Sequence, residues 1–270
     1  MEESQPKYTA IVLAADRGPD DPVARAAGAA CKSMTPINGT PMVIRVLDAL
    51  SASGEIGAQI LCGPPRSILE SAPDLQARIK SSRVEWMANR QTPSTSAYHA
   101  MQSVPEETPV LVTTADHALL SAAMIDYFCT QARNTGCDVV AGVARHEVVA
   151  KAYPRTRRTA TRLKDGAYCG CNLFAFLTPR ARRAADFWRQ VENQRKKPLR
   201  VIRVMGLMAV LRYLAGQLSL ADALARISRR LGFSAGAVTM PFPEAAIDVD
   251  SVADLRLVED IVAKRQILDS

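Results

Sequence analysis

The first half of the chain alternates short apolar runs with amphipathic segments. The apolar runs have the length of buried strands, and strands are predicted at 8–14, 59–62, 83–87, 110–114 and 138–143. The amphipathic segments repeat apolar residues at helical spacing, and helices are predicted at 41–51, 65–79, 94–102 and 121–135. Strands that alternate with helices predict an α/β fold with a mostly parallel sheet between helices.

The second half departs from this alternation. Residues 167–176 and 237–240 predict further, partly antiparallel strands, whereas 178–232 predicts three helices and ends at Gly232. We therefore expect a single domain over residues 1–270, with a core at 7–177 and 233–264. Residues from about 178 to 232 would form a helical insertion in that core.

Composition fits one folded unit in a reducing compartment. Of the 270 residues 48% are hydrophobic, enough for a large core, and no apolar run reaches the roughly 18 residues of a membrane span. The six cysteines are scattered, which suits reduced thiols better than a disulfide framework or a zinc site. With a polar N-terminus that does not resemble a signal peptide, we expect a cytoplasmic protein.

Positive charge is concentrated in one block. Residues 150–235 contain 19 Lys and Arg against 4 Asp and Glu, whereas the rest of the chain is net acidic. Such a block predicts an anionic partner: a phosphorylated substrate, an anionic membrane surface or nucleic acid. The low aromatic content, 5%, argues against nucleic-acid binding by base stacking.

Acidic residues close two apolar, strand-like runs that lie far apart in the chain. Asp116 follows 109–115, and Asp248 and Asp250 follow 245–247. Carboxylates at strand ends face the crevice where open α/β sheets bind ligands, and Mg²⁺ takes oxygen ligands of this kind. The alternative is that these aspartates only cap the helices that follow them.

The N-terminal segment carries a family resemblance. Residues 11–15 read IVLAA, a loop rich in Gly, Pro and Asp follows, and residues 31–42 read CKSMTPINGTPM. With TTAD at 113–116 and DVDSVAD at 248–254, the chain resembles the molybdenum-cofactor nucleotidyltransferase-like NTP transferases. The resemblance implies a Rossmann-like GT-A nucleotidyltransferase core and transfer of a nucleoside monophosphate from an NTP, with release of pyrophosphate.

The resemblance also implies a set of site residues. Lys32 and Asp116 would be catalytic, and Asp116, Asp248 and Asp250 would hold Mg²⁺. The nucleotide would bind at Leu13, Ala14, Ala15, Asp16, Arg17, Gly18, Lys32, Ser94 and Ser96. The loop at Ser96 is more similar to that of cytidylyltransferases, so CTP is the expected nucleotide, with GTP as the alternative. Small hydroxyls at a helix start are also simple N-caps.

Asp16 departs from the family pattern, which has glycine after Leu-Ala-Ala. Two interpretations stay open: a remodelled triphosphate loop, and a weakened enzyme. The first is favoured because Lys32 and the aspartates are intact.

The acceptor side is predicted from the basic block. Arg155, Arg157 and Arg162 precede the strand that carries Asn172, and arginine is suited to bidentate binding of phosphate and carboxylate. We expect these four residues to bind a small phosphorylated acid, of phosphoglycerate type or a lipid head-group precursor. The alternative is a solvated basic turn.

The helical insertion combines basic residues at 195–203 with an apolar stripe at 204–211. A stripe of this kind suits core packing or a homodimer face, and less often peripheral contact with an anionic membrane. Two other functions stay open for the whole chain. A nucleotide-sugar glycosyltransferase would share the sheet and the carboxylates, and a non-catalytic binding protein would use only the basic surface.

Overall fold

The computed structural model describes residues 5–14, 20–81, 83–154, 156, 158–192 and 207–268. The strands are β1 (Tyr8–Leu13), β2 (Pro36–Ile37), β3 (Thr40–Pro41), β4 (Ile56–Cys62), β5 (Glu85–Met87), β6 (Val110–Thr114), β7 (Val139–Arg145), β8 (Thr161–Leu163), β9 (Gly166–Phe176) and β10 (Ala235–Thr239). The helices are α1 (Pro22–Ala26), α2 (Met42–Ala52), α3 (Arg66–Glu70), α4 (Pro73–Lys80), α5 (Pro93–Met101), α6 (Ala122–Asn134), α7 (His146–Ala152), α8 (Ala181–Glu192), α9 (Leu207–Leu214), α10 (Leu220–Leu231) and α11 (Val252–Leu268).

Eight strands form one mixed sheet. Its order is β10-β7-β9-β6-β1-β4-β5, with β8 paired to β9. The strands β4, β1 and β6 run parallel, as do β4 with β5 and β7 with β10. The strand β9 is antiparallel to its neighbours β6, β7 and β8. The predicted mixed, mostly parallel sheet with a Rossmann-like core is confirmed.

Alternation along the central strand β1 divides the core between the two faces of the sheet. Ala10 and Val12 pack in a cluster with apolar residues of α2 and α6. Ile11 and Leu13 belong to a second cluster, with α5 and α8. Because successive side chains of a strand point to opposite faces, these two clusters form the two core layers of an α/β/α sandwich.

A third apolar cluster, which we call the rim cluster, lies apart from these two layers. It joins α1, the β2–β3 hairpin, the loop after β6, the segment before α11, and α11 itself. Its buried members are Val23, Ile37, Met42, Ala118, Leu119, Ile247, Val249, Leu255, Val258, Ile261 and Val262. The cluster therefore holds together three chain segments that are remote in sequence.

Several elements differ from the predictions. The helix predicted at 65–79 is two helices, α3 and α4, because Pro73 lacks an amide hydrogen and begins a new helix. The short helix α7 and the short strand β8 are additional to the predicted elements. Part of the helix predicted from residue 198 lies outside the described residues. The helix α10 ends at the predicted Gly232, which has a φ of 72°.

The segment 178–232 contributes to the main core. Apolar residues of α8 and α10 lie in the same cluster as α5, on one face of the sheet. The division into a core and a helical insertion stays a prediction.

The six cysteines are free thiols. Burial raises the pKa of Cys62 to about 12, which keeps this thiol protonated at neutral pH and unsuited to nucleophilic chemistry. No helix among the described residues is long and apolar enough to cross a membrane.

Asp138 joins the starts of β7 and β10 to the end of β9. Its Oδ1 accepts a hydrogen bond from Thr178 Oγ1 (2.5 Å), and its Oδ2 accepts from the Ser234 amide and hydroxyl (2.6 and 2.8 Å). Burial by itself raises the pKa of Asp138, but these hydrogen bonds outweigh it and hold the pKa below its ordinary value of 3.8.

Replacing Asp138 with asparagine should therefore destabilise the fold, because the amide cannot accept all three hydrogen bonds. We expect a loss of about 1–3 kcal/mol at pH 7, measured by urea unfolding. A carboxyl group whose pKa is lower in the folded state than in the unfolded state stabilises the fold at pH values above its unfolded-state pKa. This stabilisation is lost as the pH falls through the folded-state pKa. The deficit should thus shrink below pH 3.8. Asp260→Asn, at an exposed position, is the control; a pH-independent deficit would contradict this assignment.

Candidate active site

Lys32 forms the centre of the candidate site. It begins a 3₁₀ turn, Lys32–Met34, and its side chain is nearly buried. The Nζ atom donates hydrogen bonds to Asp116 Oδ2 (2.7 Å) and Asp250 Oδ1 (2.8 Å). One ammonium group therefore joins two carboxylates that lie 134 residues apart in the chain.

A tight hairpin fixes the turn that carries Lys32. Asn38 and Gly39 connect β2 to β3, and both have positive φ angles, 47° and 82°. Asn-Gly is the preferred pair for a two-residue hairpin loop of this kind. The amide of Met42, at the start of α2, donates to Thr35 O (2.9 Å). The Lys32 turn is thereby attached to the first long helix.

Asp116 lies at the carboxyl end of β6, in the centre of the sheet. The Ala115 amide donates to Leu13 O (3.0 Å), so this turn continues beside the end of β1. The amide of Val249 donates to Asp116 O (3.1 Å), which places the segment before α11 next to Asp116. Asp116 Oδ1 is buried and has no hydrogen-bond partner among the described residues.

The carboxylates determine the charge of Lys32. Burial alone lowers the pKa of Lys32, but the charges and hydrogen bonds of Asp116 and Asp250 outweigh it, so the pKa lies above its ordinary value of 10.5. Lys32 is therefore a fixed cation at neutral pH. The neighbouring His117 is fully buried, and burial lowers its pKa to about 4, so its ring is neutral.

Asp248 is paired with two side chains of the protein, and its role as a metal ligand stays a prediction. Its Oδ1 accepts from Arg158 Nη1 and its Oδ2 accepts from Asn172 Nδ2 (2.9 Å). Burial, with the charges of Asp116 and Asp250, raises the pKa of Asp248 despite these partners. Among the described residues, no group of three or more acidic, histidine or cysteine side chains is arranged to hold a metal ion. Asp116 and Asp250 are the two carboxylates that share Lys32, and the three-aspartate metal site stays a prediction.

The side-chain amide of Asn172 is directed to Asp248, and the predicted contact of Asn172 with the acceptor stays a prediction. Its φ is +49°, in the middle of β9, where the pairing with β7 shifts between Ala141 and Val143. An irregularity of this kind re-aims a side chain out of the alternating strand pattern. A non-glycine residue at positive φ is uncommon and is retained where its surroundings hold it.

Asp254, the last carboxylate of the DVDSVAD motif, caps α11. Its Oδ2 accepts from the Ser251 amide (3.0 Å) and hydroxyl (2.7 Å), and its own amide donates to Ser251 Oγ (3.2 Å). This is a reciprocal capping arrangement. Serine followed three residues later by an acidic residue before an apolar run is its signal in the sequence.

The remaining predicted nucleotide-binding residues have different positions. Leu13 is the last residue of β1 and accepts from the Ala115 amide (3.0 Å); Ala14 follows it, and the Ala14 amide donates to Cys62 O (2.9 Å). Ser94 and Ser96 are buried in the first turn of α5, whose N-cap is Thr92. The Ser96 hydroxyl donates to Thr92 O (3.1 Å) and accepts from the Arg90 amide (2.8 Å). This hydroxyl therefore organises the loop before α5, and its contact with a nucleotide stays a prediction.

Other predicted residues lie outside the described part of the chain: Ala15, Asp16, Arg17, Gly18, Arg155 and Arg157. The predicted acceptor residue Arg162 is exposed on β8. The arginine that does reach the site is Arg158, which the alternation of the basic segment did not single out. Its carboxylate partners, Asp248 and Asp254, lie about 90 residues later in the chain. The only signal in the sequence for an arginine at this place is therefore the number of carboxylates in DVDSVAD, which need a cation to offset their charge.

The donor atoms of this site fit a hard divalent cation. Mg²⁺ is commonly bound by one or two protein carboxylates together with water and substrate phosphates. Asp116 and Asp250 provide two carboxylates beside one another, and Asp116 Oδ1 is a buried oxygen without a partner among the described residues. Asp250 is 56% exposed at its side chain, so the pair is open to solvent on one side.

Comparison with known proteins identifies the family. Residues 10–231 match the model of the MobA-like NTP transferase domain. The chain belongs to this family. The resemblance seen in the sequence is thereby confirmed. The matched span of the MobA-like domain includes Lys32 and Asp116, whereas Asp248 and Asp250 lie beyond it.

Solved structures agree with this membership of the MobA-like family. A hypothetical transferase from Thermus thermophilus is 30% identical, with a TM-score of 0.76, over 92% of this chain and 99% of that one. A 4-diphosphocytidyl-2C-methyl-D-erythritol synthase is 12% identical (TM-score 0.58, 96% and 100% covered). CMP:2-keto-3-deoxy-manno-octonic acid synthetase, in complex with CTP, is 11% identical (TM-score 0.57, 96% and 99%). The last two show the fold alone. No curated protein sequence matches this chain.

Proposed function

We propose that this protein is a Mg²⁺-dependent nucleotidyltransferase that transfers a nucleoside monophosphate, CMP in preference to GMP, to a small phosphorylated acid. The observation that carries the proposal is the Lys32 ammonium between Asp116 and Asp250, at the carboxyl edge of the sheet. Ligands of open α/β sheets bind at this edge. The family match supports NTP transfer in general, and the nucleotide, acceptor and metal are the proposed parts.

In the proposed reaction an oxygen of the acceptor phosphate attacks the α-phosphorus of the NTP. The bond between this phosphorus and the oxygen that bridges to the β-phosphate breaks, and pyrophosphate leaves with the electron pair. Lys32, a fixed cation, would offset the negative charge that grows on the phosphate oxygens. When bound to Asp116 and Asp250, Mg²⁺ would supply Lewis-acid stabilisation of the same charge.

The preference for CTP has two supports. The loop before α5 is similar to that of cytidylyltransferases, and Ser96 holds this loop in place through its hydrogen bonds. Two proteins of the same fold are cytidylyl enzymes by name. The acceptor class follows from the basic block at 150–235, which suits an anionic substrate.

The first test measures pyrophosphate release with Mg²⁺, each of CTP, GTP, UTP and ATP, and a panel of small phosphorylated acids. We expect acceptor-dependent release with CTP, and a loss of at least about 100-fold in Asp116→Ala. The control is Asp260→Asn, at an exposed position on α11. Release with GTP alone would change the base assignment.

Other outcomes of this assay would contradict the proposal. Release of a nucleoside diphosphate from nucleotide-sugars would indicate a glycosyltransferase. The absence of release with every pair, together with no thermal shift by any nucleotide, would favour a loop at Asp16 that no longer binds triphosphate. A non-catalytic binding protein would then be the better assignment.

Lys32 should also compete with the metal in the nucleotide-free protein, because its ammonium occupies the space between the two proposed ligands. We expect Lys32→Gln to bind Mn²⁺, used as a spectroscopic substitute for Mg²⁺, more tightly than the unmodified protein does. Turnover of the same variant should fall by about 10²–10³-fold. Lys80→Gln, on the exposed end of α4, is the matched control. Unchanged or weaker Mn²⁺ binding by Lys32→Gln would argue against Asp116 and Asp250 as the metal ligands.

The homodimer and the membrane contact predicted from the sequence have one structural support. On α9, Met208, Leu211, Tyr213 and Leu214 are exposed, Met208 at 62% and Leu214 at 74%. Burial of such a face against a second copy would remove apolar area from water. We favour the homodimer, and keep the anionic membrane as the alternative occupant.

Sedimentation velocity should therefore show a concentration-dependent dimer, which Leu211→Gln combined with Leu214→Gln weakens. Arg226→Gln on α10, a helix without exposed large apolar side chains, is the control. A monomer that floats with anionic vesicles at low salt would instead support the membrane contact. A monomer that does not float would exclude both.

A further inference from the structure

We propose that Arg158 is a positioning residue that fixes Asp250 in place, and that Asp248 serves this purpose without contacting the metal. This inference rests on the proposed function for the role of Asp250. It assigns to one arginine of the basic block a task other than binding the acceptor.

Arg158 is nearly enclosed by protein acceptors. Its side chain is 9% exposed, and its Nη1 donates to Asp248 Oδ1. Its Nη2 donates to Asp248 O (2.8 Å) and to Asp254 Oδ1 (2.7 Å), and its Nε donates to Thr156 Oγ1 (3.2 Å). Every nitrogen of the guanidinium therefore donates a hydrogen bond to an acceptor within the protein.

Two routes connect Arg158 to Asp250. The first is direct in sequence, since Arg158 holds both the carboxylate and the carbonyl of Asp248, two residues before Asp250. The second runs through Asp254, whose Oδ2 accepts from the amides of Asp250 (3.3 Å) and Ser251 (3.0 Å). Asn172 holds the other oxygen of Asp248. Hydrogen bonds thus hold the backbone on both sides of Asp250, and this places its carboxylate beside Lys32.

The geometry of the guanidinium matters as well as its charge. A planar fork can satisfy two carboxylates and a carbonyl at once, whereas an ammonium is a point charge on a flexible stem. Residues that hold a metal-binding side chain from behind typically change metal affinity or activity by about 10–100-fold when replaced. Arg158→Lys, which keeps the charge, is therefore the informative change.

The experiment compares Arg158→Lys with a matched control, Arg182→Lys. Arg182 also donates to three protein acceptors, the carbonyls of Met101, Val104 and Pro105, at the end of α5. Amide hydrogen exchange is measured first, without metal or substrate. We expect faster exchange at the amides of Asp250 and Ser251 in Arg158→Lys and unchanged exchange there in Arg182→Lys. Equal exchange in the unmodified protein and Arg158→Lys would overturn the proposal.

Mn²⁺ titration and kinetics then separate positioning from acceptor binding. Positioning predicts Mn²⁺ affinity about 10–100-fold weaker in Arg158→Lys, a lower kcat and little change in the KM for the acceptor. A raised acceptor KM with unchanged exchange and Mn²⁺ affinity would instead make Arg158 an acceptor ligand. Absence of pyrophosphate release in the unmodified protein would contradict the proposed function. Amide exchange is measured without turnover, so it would still decide whether Arg158 fixes the backbone at Asp250.

Discussion

Lys32, Asp116 and Asp250 lie together because the three segments that carry them share the rim cluster. Ile37 follows the Lys32 turn, Leu119 follows Asp116, and Val249 directly precedes Asp250. In the last segment the apolar residues 247 and 249 alternate with the acidic residues 248 and 250. Burial of the apolar pair against α11 therefore directs the carboxylates to the opposite side, where Asp250 meets Lys32 and Asp248 meets Arg158. Apolar area removed from water drives this assembly, and the charges follow.

The charges then constrain one another. One edge of the sheet carries four carboxylates, those of Asp116, Asp248, Asp250 and Asp254. Their negative charges lie close enough to repel one another. Lys32 offsets one pair and Arg158 the other. Removal of one partner from such a network leaves a partly buried charge uncompensated. The two cations thus have different roles in the proposed site: Lys32 would contact the reacting phosphates, and Arg158 would hold the backbone that carries Asp250.

The prediction from sequence succeeded where the signal is local. The continuous apolar runs predict strands β1 and β6, which the structure confirms, and the loop and strand end that carry Lys32 and Asp116 predict the family, which the comparison confirms. It was less successful where a short element depends on its neighbours, as at α7 and β8, or where Pro73 divides one amphipathic segment into two helices. The Asn38-Gly39 hairpin carries a local signal in the sequence, because Asn-Gly is the preferred pair for a two-residue hairpin loop.

The sequence by itself determined the α/β class, the family and the location of the acidic strand ends, because these depend on periodicity and on residues close in the chain. Only the tertiary structure decided what each acidic residue contacts. Asp248 was indistinguishable from Asp250 in the sequence, yet it is paired with Arg158 and Asn172, which lie 90 and 76 residues away. A hydrogen bond depends on distances of a few ångströms between side chains, and those distances are set by packing across the whole sheet.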